Sequence, residues 1–306
     1  MADVSSVFGQ PLARDPRVAL PHPPASLVGR PGPQHKVQFV IELVGTRSCP
    51  ASAVAALLSP QWNQALGEPQ LFVMAPADKD WQPLTGRTDG SYDSIALAWD
   101  LVADQGELTG QAAAHLFQVT ESYATHIQRR AMPLPPPADV NKHVAILKQI
   151  QENLDIGVEI LMVPKGQEFS EREVWIALAE LGFDLNSSGF FQIAMGSGLP
   201  FLEVTPSGGA SSFALSSVQQ GVLHPGLLIG FSVPLSPNPT YSLDIAFQTA
   251  DHLSYRLNAA AFADGDQLLG PRARNELSSN LMAAVRTMSS AGIEPGSRAA
   301  QELFGG

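Results

Sequence analysis

The hydrophobic pattern along the chain changes period twice, and the second half repeats the order of the first. Val37–Val44 is a β-rich apolar run that predicts a strand, and Ala51–Leu58, extending toward Leu66, predicts a helix. Leu71–Ala75 and Ser94–Val102 predict two further strands, with room for a hairpin strand between Trp81 and Asp93. Leu108, Ala112, Leu116, Val119, Tyr123 and Ile127 then recur at helical spacing. A short segment at Ala131–Leu134 leads to Pro137, suited to the first turn of a helix whose apolar face is Val144, Leu147, Ile150 and Leu154.

The pattern restarts at Val158–Val163, an apolar strand. Phe169–Leu181 reads as a helix, with Ser170 and Glu173 spaced as a capping box and Gly182 as its stop. Gly189–Ala194, Phe201–Thr205, Phe213–Val218 and Leu227–Val233 read as strands. Leu243–Leu257 is a helix, Ala259–Ala263 a short strand, and Pro271 opens a last helix with Leu277, Leu281, Val285 and Met288 inward. Val37-x-Phe39-Val40-Ile41 lies over Val158-x-Ile160-Leu161-Met162, Phe117-Gln118 over Phe247-Gln248, and Pro137 over Pro271. The fold class expected is α+β: two tandem split β-α-β modules, each an antiparallel sheet with helices on one face. Residues 1–35, with seven prolines, are expected to be a disordered Pro-rich tail. The modules are expected at 36–154 and 155–291, with a flexible tail at 292–306.

Composition narrows the function. The chain has 306 residues, enough for about two domains, and a net charge of −11. Such a balance argues against nucleic acid, which needs a cationic surface, and against anionic lipid. No apolar run reaches the roughly 18 residues that span a bilayer, and the N-terminus lacks a signal pattern. With the single thiol, Cys49, these point to a cytoplasmic protein with no membrane insertion.

The chemistry-bearing residues form no motif. Gly196-Ser197-Gly198 lacks the third glycine of a phosphate loop and reads as a hairpin turn. Asp264 and Asp266 flank Gly265 as they would in a tight turn rather than as an acid–base pair. His115 and His126 are too far apart in one helix to share a metal. The expectation is no enzyme, with no catalytic residues, no metal site and no cofactor.

From about Ile156 to Met288 the chain resembles the C-terminal domain of ZipA, the FtsZ-binding domain family. The shared pattern is Gly166-x-x-Phe169, Leu181-Gly182-Phe183, Phe213-x-Leu215-x-x-Val218-x-x-Gly221-x-x-x-Pro225, Val233-Pro234, Phe247-Gln248-x-Ala250-x-His252-Leu253, and Asp266 to Pro271. Residues 36–154 look like a divergent second copy. The resemblance implies a cell-division-associated adaptor at the septum, holding the C-terminal peptide of FtsZ in a shallow apolar groove on the uncovered face of a sheet. Carried onto this chain, the groove positions fall at Ile156, Ser188, Val218 and Gly230. Phe190 shares the face of Ser188, and Leu228 that of Gly230. The alternative is a ZipA-like scaffold that binds another protein segment, or itself as a homo-oligomer. Residues 155–306 carry 7 Lys and Arg against 15 Asp and Glu, so this half is strongly acidic.

Overall fold

A computed structural model describes residues 7–22, 31–103, 105–194, 199–208, 212–263 and 266–305. The protein is α+β, with two antiparallel sheets, of five and seven strands, packed against helices. The chain divides into two compact units. One comprises residues 29–154 with 297–306, the other residues 1–28 with 155–296.

In the first unit, β1 (Gln38–Val44) lies between β3 (Ser94–Asp100) and β4 (Arg130–Leu134), and β2 (Gln70–Met74) flanks β3. The order is β2-β3-β1-β4, with the short strand Gln82–Pro83 outside β2. Alternation sends Phe39, Ile41 and Leu43 to one face, opposite Trp99, Leu97 and Ile95 of β3. This face meets α1 (Gly110–His126) and α2 (Val140–Leu154), whose buried residues include Leu116, Tyr123, Val144 and Leu147. The Thr109 side chain caps α1 by accepting the Ala112 N–H at 3.1 Å. The helix expected across residues 51–66 breaks into Ala51–Ala55, a 3-10 turn at Ala56–Leu58, and Pro60–Ala65, because Pro60 carries no N–H to continue the ladder.

In the second unit, β5 (Gly157–Pro164) lies between β8 (Gly226–Ser232) and β9 (Ala259–Ala263). The order runs β6 (Phe191–Ala194), β7 (Pro200–Ser207), β8, β5, β9, with the short strands Asp184–Leu185 and Gln267–Leu268 at the two edges. Val158, Ile160 and Met162 sit opposite Phe231, Ile229 and Leu227. All six are buried. They face the side covered by α4 (Pro239–Arg256), which α5 (Pro271–Ser290) and α3 (Glu171–Leu181) flank.

Three expectations need correction. Phe213–Val218 is not a strand: Leu215–Gln220 is a short helix. Phe213 and Leu215 alternate like strand residues, but Leu215 and Val218 also stand three apart, and Gly221 closes the turn in the left-handed region at φ +69°. Ser170 holds the N-cap position of α3 without a side-chain cap bond. The Glu171 N–H instead donates to the Val222 carbonyl at 3.0 Å.

The third concerns the ends. Residues 7–22 are not a free tail. Phe8 stacks on Trp175 at 5.8 Å, Arg172 donates to the Val7 and Phe8 carbonyls, and the Asp15 N–H donates to the Glu180 carbonyl at 2.9 Å. Apolar Phe8 and Leu20 are both buried, so the prolines shape a packed strap rather than a solvated leader. At the other end, Arg298–Phe304 forms α6, with Ala299, Ala300 and Leu303 buried. Ser297 caps it by accepting the Ala300 N–H at 3.2 Å.

Gly182 joins two of these features. It ends α3 at φ +89°, and Arg14 lies against the place where a Cβ would stand while its Nη2 donates to the Gly182 carbonyl at 3.2 Å. Gly182→Ala should cost about 1–2 kcal/mol through the strained φ and expel Arg14. Trypsin should then cut faster at Arg14 and Arg17, with a lower urea midpoint. Unchanged cleavage and midpoint would contradict this account of the strap.

Candidate functional site

The face of the seven-stranded sheet that points away from the helices is built by alternation. Because Val158, Ile160 and Met162 turn inward, Glu159, Leu161 and Val163 turn outward. The register then lines up their neighbours. Thr205, Leu228, Leu161, Phe262 and Leu268 stand opposite one another on five consecutive strands. Phe190, one residue before β6, continues the alternation that turns Gln192 outward. The result is an apolar row across the sheet. Leu161, Leu228 and Phe262 are half-buried, and Leu268 is 64% exposed.

A second row runs beside it: Gln192, Glu203, Gly230 and Glu159, again in register. Gly230 contributes no side chain, so the row has a gap at its centre. A Cβ there would meet the Val158 carbonyl at 3.1 Å. Around the gap lies a shallow depression of about 290 Å³, lined among others by Asp155, Glu159, Glu203, Thr205 and Leu228. Glu203 is held by a long contact from the Asn186 amide at 3.4 Å, and burial pushes its carboxyl above the usual range.

The six residues expected to form a groove do not all meet. Phe190, Leu228 and Gly230 share the outward face. Ile156 sits one residue before β5, 39% exposed, its carbonyl accepting the Val233 N–H at 2.9 Å. Ser188 is exposed in a turn, where the Asn186 side chain accepts its N–H at 3.0 Å and that of Phe190 at 2.9 Å. Val218 is the clear correction. It is 6% exposed on the helix Leu215–Gln220, which packs against α3, so it belongs to the core. The misplacement follows directly from reading that segment as a strand.

Leu161, Phe262 and Leu268 were missed in the sequence, as were Glu159 and Glu203. Leu161 falls in a run that is apolar throughout, so alternation alone does not say which side is open. Phe262 and Leu268 join the row only through the pairing of β5 with β9 and of β9 with Gln267–Leu268.

Elsewhere in the second unit, an apolar cavity of about 830 Å³ lies between the N-terminal strap and α3, lined by Leu12, Trp175, Phe183, Phe191 and Leu215 among others. Of the residues tested above for acid–base or phosphate chemistry, 196–198, 264 and 265 lie outside the described residues. Among the described residues, no three His, Cys, Asp or Glu side chains group as a metal site requires, and no helix is long and apolar enough to cross a membrane.

The five-stranded sheet treats the same kind of face differently. Val40, Phe72, Ala96 and Ala98 form a buried cluster there, with Trp81 packed against it. Arg298 of α6 also reaches it, stacking over the Phe72 ring at 5.4 Å and donating to the Gln70 side chain at 3.1 Å. No protein-family model matches this chain, and no curated protein does.

Proposed function

We propose that this protein is a cell-division-associated adaptor that binds a protein segment on the open face of its seven-stranded sheet, with the C-terminal peptide of FtsZ as the segment implied by the ZipA resemblance. We read the two sheets as two copies of one split β-α-β module. The strand orders β2-β3-β1-β4 and β7-β8-β5-β9 support this, since they coincide when the copies are overlaid. In each, a long helix comes after β3 or β8 along the chain and a second helix comes after β4 or β9.

One observation carries the docking reading: an in-register apolar row, Leu228–Leu161–Phe262–Leu268, on the side of the sheet away from the helices. Leu161, Leu228 and Phe262 are already half-buried, so a partner covering them adds only part of the about 1.5–3 kcal/mol of full burial for each, and exposed Leu268 has the most left to gain.

The test is a titration of the full chain with a peptide from the C-terminus of its own host's FtsZ. Saturable binding at micromolar concentration is expected. Leu228→Asp should weaken it at least tenfold with an unchanged circular-dichroism spectrum. Val218 is unsuited to this test because its burial would confound binding with folding. Absence of saturable binding would remove FtsZ as the partner.

A second reading keeps the scaffold and changes the partner to another protein segment or a second copy. The gap at Gly230 and the carboxylates beside it favour this reading, because they replace greasy contact with charge at one end of the face.

A further inference from the structure

The open face specifies more than an apolar visitor. Gly230 is flanked in register by Glu203 on β7 and Glu159 on β5, so the two carboxylate-bearing positions stand two strand spacings apart, roughly 10 Å. Asp155 adds a third acid at the lip of the depression, and among the described residues no Lys or Arg lines it. A cation entering the gap would meet acids on both sides and backbone beneath. An acidic visitor would be repelled, at a cost that like charges in a half-buried setting make large.

The five-stranded sheet supplies a worked example within the same chain. Two side chains of α6, Arg298 and Glu302, reach its corresponding face at Phe72 and Gln70. They bring one cation and one carboxylate there, paired with each other at 3.2 Å. The Arg298 guanidinium sits over Phe72 and bonds Gln70, while burial holds the Asp100 carboxyl above its usual range, Glu302 adding to the rise and Arg298 opposing it. Asp100 in turn accepts from the Gln38 side chain at 2.9 Å. Overlaying the two strand orders puts Gln38 and Asp100 where the other sheet has Glu159 and Gly230. On the five-stranded sheet an arginine reaches the acidic position together with its own carboxylate partner. On the open face, among the described residues, no Lys or Arg lines the depression beside the acidic row.

We propose that the open face takes a cationic, amphipathic segment of a partner protein, with one Lys or Arg side chain in the gap over Gly230 between Glu159 and Glu203, and apolar side chains along Leu228, Leu161 and Phe262. This rests on the reading of that face as a docking surface, and it adds the sign of the partner's charge.

Two labelled probes test it against the full chain by fluorescence polarisation. The first is the octapeptide Gly-Lys-Leu-Arg-Phe-Lys-Leu-Gly. The second has Glu at its three basic positions. The basic probe should bind saturably, and the acidic twin at least tenfold more weakly. Binding of the basic probe should fall as salt rises from about 50 to 300 mM. Glu159→Gln with Glu203→Gln should lose about tenfold for the basic probe and narrow the gap between the two. Both side chains are partly solvent-exposed and glutamine keeps their size, so the circular-dichroism spectrum should be unchanged. If both probes bind equally and Leu228→Asp abolishes both, the docking surface stands and the charge assignment fails. If neither probe binds, both fail. A preference for the basic probe that survives the double substitution would move the site elsewhere and overturn the proposal.

Discussion

Replacing Arg129 with methionine should lower the stability of the first unit by about 3–5 kcal/mol. The side chain is 7% exposed, and its guanidinium donates to four backbone carbonyls: Leu43 at 2.9 Å, Asp93 at 2.7 Å, Arg47 at 2.9 Å and Tyr92 at 3.0 Å. These carbonyls belong to the end of β1, the loop after it and the turn that leads into β3, so one planar group ties three backbone segments beside β4. A hydrogen bond from a charged donor contributes about 1.5–3 kcal/mol, and removing the donor strands its buried acceptors. Methionine keeps the stem and its packing, which isolates the polar loss. Arg129→Lys should recover only part of it, because an ammonium has three donors and cannot match the planar fork. Urea denaturation followed by fluorescence reads mainly this unit, since Trp62, Trp81 and Trp99 lie in it and Trp175 in the other. A midpoint unchanged in Arg129→Met would show that the four carbonyls find other donors.

The second large effect is expected at Glu171. Its carboxylate is fully buried and accepts from the Trp175 indole at 3.2 Å and from the Ala214 N–H at 2.8 Å. Its other oxygen lies 3.1 Å from Nε2 of His224, itself fully buried. In the tautomer with Nε2–H, three N–H groups converge on one carboxylate, and Nδ1 meets no hydrogen-bond partner. Glu171→Ala would leave three buried donors unanswered, a loss of about 3–5 kcal/mol. Glu171→Gln should cost less, since the amide oxygen still serves two donors and the amide N–H can donate to Nε2 once the imidazole proton moves to Nδ1. Trp175 emission should report this change, and the transition of the other unit should stay in place. Equal stability of the alanine and glutamine variants would show that the side chain's volume, not its oxygens, is what counts.

The same contacts explain what the residue pattern leaves hidden. Ser170 and Glu173 have the spacing of a capping box, yet the bond that anchors the start of α3 comes from the Val222 carbonyl, more than fifty residues away. Arg129 is one cation in a polar stretch, and nothing in the sequence around it announces that four carbonyls from distant segments will gather on it. The leader's prolines correctly exclude a helix or central strand. Whether such a segment stays in solvent depends on Phe8 and Leu20 finding Trp175 and the end of α3, which is a tertiary event.

For the candidate site the division is sharper. Leu228 and Gly230 were legible because they alternate on one strand, and period-two alternation is set by local backbone geometry. Val218 was misplaced because a short segment of alternating and three-spaced apolar residues satisfies both periods, and its neighbours in space decide between them.

The sequence by itself determined the α+β class, most strand and helix positions, the acidic balance of residues 155–306 and the alternation within each strand, since these follow from local stereochemistry and composition. The tertiary structure alone decided that Leu161, Phe262 and Leu268 join Leu228 in one row, that Glu159 and Glu203 flank Gly230, and that Arg298 of α6 reaches the outer face of the other sheet. Strand pairing brings together residues dozens of positions apart, and no local pattern encodes which edges will meet.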